Sequence, residues 1–300
     1  MEKKIRIVEK GLQWNRKNQA AIRISDIAHP VDKTLIGVLE AAHVKEVLSL
    51  PVEQLVSANY GQLLATGIVV DEKNFPELYS VLKISADRLG IKVPYTIISN
   101  SIDGINAFAT GTDNRPFIVI GNAAPRLLEL GELQFIIAHE CGHIAMGHMV
   151  YHTAGALAAT IGGYLPLVGP VLANTAVFPL NCWNRCSEVT ADRIGLLCCR
   201  DLRTAQRALL RIVGGFTDVT GIDIEHYITQ SRQLQNTQTL GKLGEYFQTH
   251  PIIYKRLEAM ECFVNSKPYY QALGQEPPQG KKLLTAEQLN QKVNDLLKVL

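Results

Sequence analysis

The chain has 300 residues, enough for one or two domains with a sizeable core. Hydrophobic residues make up 47% and charged residues 19%, a globular composition that excludes a disordered chain. Thirty basic residues against 28 acidic ones leave +2 with no block of like charge, so the chain advertises neither nucleic acid nor an anionic membrane surface as a partner.

The first stretch, MEKKIRIVEKGLQWNRKNQ, carries basic residues with no apolar run behind them, which argues against secretion and for a cytoplasmic protein. The six cysteines are clustered rather than spread as a disulfide framework, and in a cytosol they stay reduced. Cys182 and Cys186 are candidates for a second metal site and Cys198 with Cys199 for redox chemistry, but no CxxC pair supports either.

Residues 34–49 have helical apolar spacing at Leu35, Val38, Leu39, Ala42 and Leu48. NFPELYSVLKISADRLG predicts a helix with Asn74 near its cap, Pro76 in the first turn and Gly90 just past its end. Short strands follow at 93–99, 106–110 and 116–121, separated by Gly, Asp and Asn. From Gly131 the pattern is helical again. Residues 268–282 read as a linker before a last helix opened by Thr285 and Gln288. That helix has an apolar face of Leu289, Val293, Leu296 and Leu300, expected to pack back. The chain thus divides into an N-terminal helical region (1–74), a central domain (75–267) and a linker with C-terminal helix (268–300).

The chemistry concentrates in AHECGHIAMGH, residues 138–148. On a helix His139, Glu140 and His143 fall at about 0°, 100° and 40°, one sector, with Cys141 facing away near 200°. Two imidazoles on consecutive turns supply half of a tetrahedral zinc site, and the glutamate beside them can take a proton from bound water. A helix merely rich in histidine is the alternative, but a buried His-Glu-His without a metal leaves polar groups needing partners. The third ligand lies elsewhere. A metzincin would need His and Gly where Met149 and Met146 stand. The gluzincin solution, a glutamate from a later helix, is offered by WNRCSEVTADRIGLL, in which Glu188 and Asp192 are i and i+4 on one face. Glu188 is the expected ligand. Asp192 is the expected acceptor for the far ring N–H of a ligand histidine. His29, His43, His148, His152 and His226 have no partner in sequence and read as structural or exposed.

HECGH, SEVTADRIG, the upstream NAFATG and the downstream HPIIYKR together resemble the gluzincin metallopeptidases that include CAAX prenyl endopeptidases and HtpX-like proteases, over about residues 75–260. The resemblance implies a mainly helical α+β, zincin-like catalytic domain with a small mixed sheet and an HExxH active-site helix. It implies one Zn2+ per chain on His139, His143 and Glu188, with Glu140 as base in hydrolysis of polypeptide substrates. It also implies that Asn106, Ala107 and Phe108 lie near the cleft, where an edge strand can pair with extended substrate. His250 and Arg256 match the family's HP…R element as catalytic residues. They would donate to a tetrahedral intermediate opposite the metal. Alternatively His250 occupies the fourth metal position at rest, or is simply the neighbour of a helix-starting Pro251. A zinc-containing chaperone or assembly factor with latent proteolysis is the rival function.

Between Glu140 and Arg185 there is no charged residue, and 156–173 is almost wholly apolar. One membrane crossing would put His143 and Glu188 on opposite sides. Two would need about 40 residues, and only 153–183, 31 positions, are available. A buried or partner-covered hairpin is the expectation, with peripheral membrane attachment left open. Neither the physiological substrate nor the oligomeric state is readable.

Overall fold

The computed structural model describes residues 23–41, 43–102, 104–152, 177–237 and 252–298. A short helix α1 (Ile24–Ile27) leads into α2 (Pro30–Ala41), which starts on a proline whose missing N–H is no loss in a first turn, and then α3 (Val44–Thr66). The single helix expected over 34–49 is therefore two. His43 stands between them in the left-handed conformation, φ 53°, and turns the chain out of the helical path.

After β1 (Gly67–Val69), helix α4 (Pro76–Leu89) begins and ends as its residues dictate. Asp71 accepts from the N–H groups of Lys73 and Asn74 at 2.8 and 2.7 Å, Pro76 fills the first turn, and Gly90 closes the helix at φ 66°. Strands β2 (Tyr95–Ser99), β3 (Ala107–Thr112) and β4 (Arg115–Gly121) join β1 in a mixed sheet of order β1-β2-β4-β3. β1 is antiparallel to β2, β2 parallel to β4, and β3 folds back on β4 as a hairpin. Ile118, Val119 and Ile120 make β4 a strand buried on both faces, and β3 is left as an edge.

The α5 turn (Ala124–Leu127) precedes α6 (Leu130–Ala145), the central pillar, in which every residue from Glu132 to His143 is buried. Glu129 and Glu132 form its capping box, and the buried Glu132 carboxylate faces Arg211 and Arg207 at 3.3 and 3.5 Å. Helix α7 (Val177–Cys199) packs along α6 at close range because glycines stand at the contact. A Cβ on Gly195 would lie 2.8 Å from the Phe135 carbonyl oxygen, and one on Gly142 would lie 3.0 Å from Cδ1 of Ile194.

Five more helices follow in the described residues: α8 (Leu202–Gly214), α9 (Ile224–Thr237), α10 (Ile253–Val264), α11 (Lys267–Leu273) and α12 (Ala286–Leu297). The linker expected over 268–282 is corrected in its first half. Pro268 in its first turn and Gly274 at its C-cap bound α11, which buries Tyr269 and Leu273. α12 carries the expected Thr285–Gln288 capping box and packs back on α10. Leu289, Val293 and Leu297 are its buried face, each contributing about 1.5–3 kcal/mol. Leu300 lies outside the described residues, as does most of the apolar stretch, 153–176. Among the described residues no helix is long and apolar enough to cross a membrane. The protein is mainly helical with one small mixed sheet, an α+β fold.

Candidate metal centre

Helices α6 and α7 each present a pair of polar residues one turn apart, and the glycine-lined contact brings the two pairs together. Nε2 of His139 and Nε2 of His143 lie 3.2 Å apart. Glu188 closes the triangle, with Oε2 3.6 Å from His139 Nε2 and Oε1 3.6 Å from His143 Nε2. All three are buried. Neighbouring ligands of a tetrahedral zinc, at about 2.0–2.1 Å from it, are themselves about 3.3 Å apart, so this donor set fits a cation. The far side of each ring agrees. Nδ1 of His139 lies 3.1 Å from Oδ1 of Asp192, and Nδ1 of His143 lies 2.9 Å from Nδ1 of His148. Each histidine can therefore keep its proton outside and aim a lone pair inward.

Arg256, from α10, stands behind the carboxylates. Its Nε and Nη2 donate to Oδ2 and Oδ1 of Asp192 at 2.7 and 2.6 Å, and its Nη1 lies 2.9 Å from Oε2 of Glu188. The resemblance implied a donor facing the substrate. The structure instead shows a guanidinium with all three nitrogens turned to the two acidic residues of α7. His250 lies outside the described residues.

Electrostatics follow from burial and these partners. Burial, the largest influence, pushes the Asp192 carboxyl up, but the adjacent Arg256 guanidinium and His139 together outweigh it and hold the group below its ordinary value. Burial alone would depress His139, yet the contact with Asp192 and the charge of Glu188 leave it raised. His143 has burial against it and the neighbouring His139 too, and falls to about 4. Glu140 is pushed up to about 7, chiefly by burial.

Glu140 does not join the triangle. It points to the sheet, where the Ala109 N–H donates to its Oε2 at 2.7 Å. That N–H turns away from β4, so alternate residues of β3, Ala107 and Ala109, direct backbone groups to the cleft. Asn106, Ala107 and Phe108 line this cleft of about 350 Å³ together with the metal-site residues, and Leu209, Ile212 and Val213 of α8 form an apolar part of its lining. Asn106 itself precedes the strand, its Oδ1 accepting from the Ala107 N–H at 2.9 Å.

Sequence reasoning missed several groups that sit against the site. His148 is fully buried between His143 and Asp32 of α2, with its Nε2 3.1 Å from Asp32 Oδ1. Trp183 donates to that same oxygen at 2.8 Å. His152 stacks on His148 and reaches the Ser187 hydroxyl at 3.1 Å. The spacing of His148 and His152, one turn apart just beyond His143, was a usable signal; nothing in the sequence pointed to Asp32. Cys141 is buried in the core as expected, and the clusters that could hold a metal among the described residues contain only His and Glu.

Residues 72–263, more than half of the chain, match the sequence profile of Peptidase family M48. The chain belongs to this family of metallopeptidases. Peptidase family M48 is metal-dependent, in keeping with the His and Glu groups above. Among relatives, the chain is 27% identical over 259 residues to the plastoglobule-localized metallopeptidase 48 of Arabidopsis thaliana, a chloroplast protein, covering 81% of this chain and 74% of the relative. It is 26% identical to Protease HtpX homolog 1 of Streptomyces coelicolor, covering 72% and 78%, and 24% identical to Protease HtpX of Haemophilus influenzae, covering 64% and 76%. No solved structure matches.

Proposed function

We propose that this M48 member is a zinc-dependent endopeptidase, with His139, His143 and Glu188 holding one Zn2+ and Glu140 as general base. The observation that supports it most is the triangle of inward-facing donor atoms with Asp192 and His148 on the far sides of the rings. Two neutral imidazoles and a carboxylate, with space beside them, are the donor set of a hydrolytic zinc site. The cation, when bound, acidifies a water and polarises the scissile carbonyl.

Everything else is done by the chain. Glu140 is steered by Ala109 to the border between the ligands and β3, where its carboxylate takes the proton of the attacking water and passes it to the leaving amine. β3 receives extended substrate as an added strand, which explains an edge strand beside the base. Arg256 is a positioning residue: it fixes Asp192, which fixes the His139 ring, and it also orients Glu188.

The test is Glu140→Gln in the full-length protein, assayed for zinc content and for hydrolysis of casein with and without chelator. The variant is expected to keep one zinc per chain and lose about 10²–10⁴-fold in rate. Full residual activity overturns the role of Glu140, and wild-type protein that binds no zinc overturns the site.

A further inference from the structure

Beyond the proposed ligands and base, buried polar groups converge behind His143. Its Nε2 faces the ligand triangle, and its Nδ1 lies 2.9 Å from Nδ1 of His148. The opposite nitrogen of His148, Nε2, lies 3.1 Å from Oδ1 of Asp32, which also accepts the Trp183 N–H at 2.8 Å. His148 and Asp32 are fully buried and Trp183 is 1% exposed.

The protons in this chain can be counted. A ligand Nε2 must be bare, so the proton of a neutral His143 sits on Nδ1. It can only be donated to His148 Nδ1, which must then be bare. The single proton of His148 is left on Nε2, 3.1 Å from an Asp32 oxygen that only accepts, an electrostatic contact in which the N–H is not aimed along a hydrogen bond. By this count each contact sets one donor group against one acceptor. The other tautomer of His148 would set two N–H groups against each other at 2.9 Å and a lone pair against a carboxylate oxygen at 3.1 Å.

We propose that His148 and Asp32 are positioning residues of the metal site, a two-step relay that fixes the tautomer and ring plane of His143 as Asp192 does directly for His139. The relay rests on the zinc site proposed above. Its anchor comes from α2, so this helix is part of the metal centre although it precedes the residues matched by the family profile. His143, His148 and His152 also group closely enough to hold a cation of their own. A second cation there would need the His143 ring stripped of both protons, whereas 2.9 Å is an ordinary N–H···N separation.

The experiment measures zinc affinity and stoichiometry of the full-length protein by competition with a chromophoric chelator, and thermal unfolding of the metal-free protein, for His148→Leu, His148→Gln, Asp32→Asn and the His148→Leu/Asp32→Asn double variant. His148→Leu is expected to weaken zinc binding about 10–100-fold. His148→Gln, whose amide accepts from His143 and donates to Asp32, recovers part of that loss. Asp32→Asn weakens binding by itself and adds little once His148 is Leu. If His148→Leu does not fold, the Gln and Asn variants carry the comparison. Lower melting of the metal-free variants with unchanged zinc affinity would mean a merely structural role and overturns the relay. Two zinc ions per wild-type chain, one of them lost in the His148 variants, overturns it by making His148 a ligand. Zinc lost in Glu188→Gln but untouched in the His148 and Asp32 variants overturns the relay and leaves the site standing. No zinc in the wild type overturns both.

Discussion

Arg256 grips Asp192 through two hydrogen bonds, Nε to Oδ2 at 2.7 Å and Nη2 to Oδ1 at 2.6 Å, where the residues are 4% and 2% exposed. A buried pair of this kind adds little net stability over an apolar substitute, but removing one partner leaves the other charge buried and uncompensated. Arg256→Met is therefore expected to cost about 3–5 kcal/mol in urea unfolding. Arg256→Lys should rescue little of this, because a point-like ammonium cannot span both carboxylates as the planar fork does. A Lys variant with wild-type stability and zinc affinity would contradict the geometry.

The α6–α7 contact makes a separate prediction. The Cβ of Gly195→Ala would meet the Phe135 carbonyl oxygen at 2.8 Å, a backbone atom that cannot swing aside. The helices must part, costing about 1–3 kcal/mol. Because Glu188 and Asp192 ride on the displaced helix, zinc affinity should fall in the same variant. Alanine at Gly215, near which a Cβ would meet nothing within 4 Å, is the control: it is strained by its φ of 70° but lies on neither α6 nor α7.

Ala109→Pro removes one N–H, the donor to Glu140, without touching the β4 ladder, and edge strands tolerate proline at such outward positions. The variant should fold and bind zinc normally while kcat falls about tenfold or more, as the base loses its anchor. Unchanged kcat would show that Glu140 is held by something other than this hydrogen bond.

His29 supplies the pH dependence. Its ring is fully buried with no hydrogen-bond partner for either nitrogen, and burial, aided by the charge of Arg193 and opposed by Asp32, depresses it to about 4. The unfolded chain then binds the proton first as pH falls. Stability is fully present above about pH 6.5 and is lost as pH drops from there to about 4, by about 3 kcal/mol at most. Across that window the urea midpoint of the wild type should fall relative to that of His29→Leu as the pH is lowered, by the equivalent of up to about 3 kcal/mol. Parallel curves would remove His29 as the cause.

The metal triangle was legible in the sequence because both of its halves are local. His139 with His143, and Glu188 with Asp192, are spaced by one turn, so a helical period alone puts each pair on one face, and the family resemblance supplies the partner. The same logic fails for Asp32 on α2 and His148 just beyond the end of α6, which meet only through tertiary packing. Two stretches came out differently. The residues read as a linker from 268 form α11 between Pro268 and Gly274, and His43, with nothing in its residue type to announce a left-handed backbone, splits the helix expected over 34–49. Arg256 was picked out by its motif, but the direction its guanidinium faces depends on Asp192 and Glu188, whose places are set by the crossing of α6 and α7.

His152 and Trp183 meet edge to face with ring centres 5.0 Å apart, and Trp183 meets His148 in the same way at 5.4 Å. One indole on α7 thus clasps two imidazoles that follow α6, a second fastening of this helix pair besides the glycines at Gly142 and Gly195. Whatever loosens that clasp acts on both helices at once.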